Sequence, residues 1–135
     1  MRFSNFTRHV QMLKPQSAAA AAEAFTSSID CLGYRWAEIK LSTGTATGTI
    51  ATSNIEESDS SGSGFADVTG ANFPAITASN DDAAYVIKLD MTKRKRYLRV
   101  AYDVDTNPVL MSIEATLSDP LNEPATASDT VSATV

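Results

Sequence analysis

The chain contains one histidine, His9, and one cysteine, Cys31, so any nucleophile–base pair has to be built around them. His9 has no partner nearby at a spacing that makes a Ser-His-Asp or Cys-His relay. Cys31 has no second cysteine to join it in a disulfide, and a buried structural thiol is the expectation for it. Phosphate loops, dinucleotide fingerprints and paired zinc ligands are absent from the sequence. The nearest approach to a metal site is Asp103-Val-Asp105-Thr-Asn107-Pro-Val109 with Glu114, which repeats the oxygen-ligand spacing of a helix–loop–helix calcium hand. Pro108 stands where that loop needs glycine, and both flanks alternate as strands do. These residues predict a non-enzymatic chain with no metal and no other cofactor.

Contact chemistry is better represented. Lys93-Arg94-Lys95-Arg96 is a tight cationic run that suits docking on an acidic protein surface, ahead of a nucleic acid. It also suits an ordinary solvated turn whose lysines discourage edge-to-edge strand pairing. Arg99 lies within a strand pattern and calls for a carboxylate or carbonyl partner, with Asp103 or Glu38 as the candidates. Tyr34, Trp36 and Tyr97 would make an aromatic strip of the kind carbohydrate-binding sandwiches present. Core packing is the expected use, because aromatics are only 7% of the residues.

The elements that position these groups follow from period-two alternation, since successive side chains of a strand leave opposite faces. In Tyr85–Val104, Leu98, Val100, Tyr102 and Val104 oppose Tyr97, Arg99, Ala101 and Asp103, and Ile87 and Leu89 oppose Lys88 and Asp90. The pattern predicts a β-hairpin bent at the basic run. In Tyr34–Ser42, Tyr34, Trp36, Glu38 and Lys40 oppose Ala37, Ile39 and Leu41. Further strands are expected at 25–29, 44–55, 65–68, 73–78 and 109–117, with an acidic, Gly/Ser-rich loop at 56–64. Many short strands separated by turn signals predict an all-β fold, an antiparallel β-sandwich or jelly-roll-like single domain. Three regions result: an N-terminal arm over 1–23, interrupted by Pro15 with a short helix at Ala18–Glu23; the sandwich over 24–118; and an extended C-terminal tail over 119–135.

At 135 residues the chain has room for one domain with a real core. A net charge of −5 argues against nucleic acid as a partner, which needs a dominant positive field. No run approaches the ~20 apolar residues of a membrane span, and the N-terminus lacks the apolar run of an export signal.

The order of motifs carries a resemblance. Ser28-Ile29-Asp30-Cys31-Leu32-Gly33-Tyr34 is followed by Ala37-Glu38-Ile39-Lys40-Leu41 and a Thr43-Gly44 turn. Ile50-Ala51-Thr52-Ser53-Asn54, Gly64-Phe65-Ala66-Asp67-Val68 and Lys95-Arg96-Tyr97-Leu98-Arg99-Val100 come next. Over about residues 28–104 this resembles the head decoration, or cement, proteins of tailed bacteriophages and their relatives. The resemblance implies a structural protein on the outer surface of the virion that binds the major capsid protein and stabilises the shell. It also implies a homo-oligomer, a trimer or dimer at a capsid symmetry axis, made in the host cytoplasm. The arm lies outside the resemblance, which fixes no contact residues. Reading the arm and the basic run as gripping elements makes Phe3, Phe6, Arg8, Val10, Met12 and Leu13, with Lys93, Arg94, Lys95 and Arg96, the expected capsid contacts. The alternatives are a head–tail completion or tail-associated protein, and a carbohydrate-binding module for attachment to the host surface.

Overall fold

A computed structural model describes residues 7–19 and 22–121. Nine strands appear in chain order: β1 (Thr7–Ala18), β2 (Ala24–Phe25), β3 (Ile29–Asp30), β4 (Tyr34–Ala46), β5 (Ile50–Ser58), β6 (Ala66–Phe73), β7 (Ala84–Asp90), β8 (Tyr97–Val104) and β9 (Val109–Pro120). A 3-10 turn over Met91–Lys93 follows β7. The first sheet has the order β1-β9-β4-β7, and the second has β2-β8-β5-β6 with β3 also on β8. Every pairing is antiparallel. The two sheets pack face to face as a single-domain β-sandwich, the expected fold class.

The core follows from the alternation. Ala37, Ile39 and Leu41 of β4, and Met111, Ile113, Ala115 and Leu117 of β9, point inward from the first sheet. They meet Ile50 and Ile55 of β5 and Leu98, Val100, Tyr102 and Val104 of β8 from the second. Gly33 turns the chain from β3 into β4 at a φ of +89°, a region glycine enters without steric cost. Gly48 lets the β4–β5 turn lie on the β8–β9 turn, where an added Cβ would overlap the Asn107 carbonyl oxygen.

Two expectations are corrected. Residues 7–18 are not an arm reaching for a neighbour: they form β1, paired with β9 from Thr7↔Ser118 to Ala18↔Val109. Val10, Met12, Leu13 and Ala18 are buried in the core by that pairing. Pro15 is tolerated because β1 is an edge strand, and it falls inside a register irregularity between Leu13 and Gln16. Ala18 ends this strand rather than starting a helix. Phe3 and Phe6, like the tail beyond Leu121, lie outside the described residues.

The second correction concerns Tyr85–Val104, which is not a hairpin. β7 pairs with β4 in one sheet and β8 pairs with β5 in the other. The basic run is therefore a crossover between sheets, anchored by the buried Met91. The face assignments within each strand hold; the sheet assignment differs, because alternation fixes which way a side chain points and not which strand lies alongside.

Candidate functional site

The crossover places the cations beside carboxylates of the same chain. β5 and β8 pair with Glu56 opposite Arg99 and Glu57 opposite Leu98, so the acidic end of one strand adjoins the basic start of the other. Arg96 holds Asp30 in a two-pronged ion pair, Nε to Oδ1 at 2.9 Å and a terminal nitrogen to Oδ2 at 2.8 Å. Arg94 reaches Glu57 at 3.5 Å, and the Lys95 backbone N–H donates to the other Glu57 oxygen at 3.0 Å. The Lys95 ammonium lies 3.7 Å from Asp59. Arg99 is paired with Glu56, not with Asp103 or Glu38, and its guanidinium stacks between the rings of Phe25 and Phe65 at 3.9 and 4.3 Å. Lys93 is exposed at the groove described below.

These contacts set the local electrostatics. The hydrogen bond from Arg96 holds the Asp30 carboxyl below its ordinary value of 3.8, with the Leu32 N–H adding to the effect. Hydrogen bonds from the Thr92 hydroxyl and N–H lower Asp90 in the same way. Burial pushes the Cys31 thiol up to about 12, which leaves it protonated and inert near neutral pH.

The arm candidates are dispersed. Val10, Met12 and Leu13 are in the core, and an Arg8 guanidinium nitrogen lies 3.5 Å from the Asp30 carbonyl. His9 stands on the outer face of the first sheet with Nδ1 3.2 Å from the Thr116 hydroxyl. In the calcium-like segment, Asp105 accepts the Thr49 and Asn107 N–H groups at 3.1 and 2.9 Å as a turn cap. Glu114 pairs instead with Lys40 at 3.4 Å on the polar face of β9. Among the described residues, no three His, Cys, Asp or Glu side chains gather as metal ligands.

The surface of the described residues includes an open edge of the sandwich and an exposed tryptophan. The sandwich is open along one side, where β6 and β7 are both edge strands. A groove of about 270 Å³ runs there, lined by Val68, Ala71, Ile87 and Leu89 with Lys93 and Arg94 among its polar residues. Tyr85 and Ile87 are only partly covered by the core, while Val86, 48% exposed, faces the other way with Lys88. The second feature is Trp36, 39% exposed on the outer face of the first sheet rather than in the core. It borders a depression of about 330 Å³ shared with Ala37, Glu38, Lys88 and Ser118. Its outward position had a sequence signal, since Trp36 has the same parity as Glu38 and Lys40. The groove had none, because it exists only through the sheet order. No known protein-family model matches this chain, and no curated protein matches it either.

Proposed function

We propose that this chain is a non-enzymatic structural protein of a tailed-phage virion, a decoration protein that docks on the major capsid protein from outside and stabilises the shell. The observation that carries the reading is the open side between β6 and β7. Two unpaired strand edges above an apolar groove suit an extended segment of a neighbour, held by main-chain hydrogen bonds. Lys93, exposed at the groove, favours an acidic segment there, with Asp90 also in the lining and Lys88 paired with Glu38. The motif order over residues 28–104 supports the same reading, and so does the engagement of most other chemically able side chains in holding the sandwich together. Self-association about a capsid symmetry axis multiplies individually weak contacts over the shell.

Co-sedimentation with separated heads and tails of the parent virion tests it. Wild-type protein is expected to pellet with heads, more weakly as salt rises, and Lys93→Glu to pellet at least about tenfold less while melting at the same temperature. Binding to tails alone would replace this reading with a tail-associated one. Binding to heads that is indifferent to Lys93 and to salt would remove the groove as the docking site.

A further inference from the structure

Trp36 is the chain's one tryptophan and it faces water. Across the sheet it is level with Asp90 of β7 and Ser118 of β9. The next row places Glu38 opposite Lys88, with their charged atoms 3.7 Å apart. An indole surface is thus bordered by an anionic acceptor, a cationic donor and a hydroxyl that does both.

We infer that the Trp36 depression is a binding site for a neutral sugar ring. A pyranose has an apolar C–H face, which stacks on an indole, and a rim of hydroxyls that need donors and acceptors together. The depression supplies both halves of that match. Its volume of about 330 Å³ lies at the small end of ligand pockets, enough for one ring and not for a drug-sized molecule. A nucleobase would stack equally well, but single-stranded nucleic acid also needs a positive track for its phosphates. Lys88 is the one cation lining this site, Glu38 accompanies it, and the chain carries a net charge of −5. A protein partner would want more apolar area than one indole among polar neighbours. Binding to a single ring is expected to be weak, with a Kd of about 1–10 mM. Repetition of the site on an oligomer would raise the avidity for a polymeric glycan. The inference does not depend on the virion reading: the groove between β6 and β7 shares only Lys88 with this depression, and Lys93, the probe of docking, does not line it.

Because Trp36 is the sole tryptophan, its fluorescence reports directly on the site. The full-length protein is titrated with glucose, galactose and N-acetylglucosamine to about 100 mM, with glycerol as the control for bulk solvent effects. The expected result is a saturable emission change with at least one sugar and none with glycerol. Glu38→Gln, at a partly exposed position where the fold persists, is expected to raise the Kd about tenfold by removing a charged acceptor. A linear drift shared by glycerol and all three sugars would overturn the inference. So would a saturable response that Glu38→Gln leaves unchanged, since the recognition of sugar hydroxyls ascribed to this depression would then be absent.

Discussion

Arg99 concentrates three interactions in one side chain. Its planar guanidinium lies between Phe25 and Phe65 while its nitrogen is bonded to Glu56. The Glu56 side chain is only 13% exposed, and Arg99 is its ion-pair partner. Lysine keeps the charge but not the flat stacking surface, and Arg99→Lys should lose about 1 kcal/mol. Alanine removes the charge as well and leaves a largely buried carboxylate alone, so Arg99→Ala should lose about 3 kcal/mol. Urea denaturation with an unchanged slope measures both. Equal losses would mean that stacking, not pairing, is what Arg99 contributes. Sequence made an acidic partner for Arg99 readable but not its identity, because Glu56 is 43 positions away and meets it only through the pairing of β5 with β8.

Between elements, the Asp30–Arg96 pair ties the turn after β3 to the crossover that carries the chain from one sheet to the other. Asp30 titrates below 3.8 in the folded protein because Arg96 and the Leu32 N–H favour its anion. A lowered carboxyl stabilises the fold fully above its unfolded value, and the contribution disappears as pH falls through the folded value. Stability should therefore drop below about pH 4, and Asp30→Asn should flatten part of that drop. Asp30 is 41% exposed on its side chain, so solvent screening keeps the difference under about 1 kcal/mol. Thermal melts of both proteins between pH 3 and 6 measure it; identical profiles would show that the tie contributes nothing. The strand faces here were legible from alternation alone, as Leu98 to Val104 and Ala37 to Leu41 show. Trp36 was legible in the same way, and the pull of its size toward the core gave the wrong side. What alternation could not give was the partner of each strand: β7 and β8 have the pattern of a hairpin and belong to different sheets. β1 was hidden for a more local reason. Its inward phase slips at Leu13, and Pro15 follows, so its regular period is broken where the strand is irregular.

For the whole molecule, the decisive pairing joins the two ends of the described chain. β1 and β9 are adjacent, so the first sheet is complete only when residues separated by most of the sequence have met. Such non-local pairing costs loop entropy before contacts repay it, and folding in milliseconds to seconds is the general expectation. It also makes β1 part of the core's stability. Val10, Met12 and Leu13 are each at most 9% exposed, and burial of a large apolar side chain is worth about 1.5–3 kcal/mol. Their sum is comparable with the 5–15 kcal/mol that typically separates a native domain from its unfolded chain, to within about a factor of two. Deleting residues 1–18 would also strip one of the two hydrogen-bonded neighbours from β9. The truncated protein should lose its cooperative thermal transition, followed by far-UV circular dichroism, rather than remain a folded sandwich without an arm. Loss of head binding in that deletion would then report unfolding, which is why a surface change at Lys93 is the proper probe of docking. A truncated chain that still melts cooperatively near the wild-type temperature would return residues 7–18 to the role of an arm and reopen Val10, Met12 and Leu13 as contacts with a neighbour.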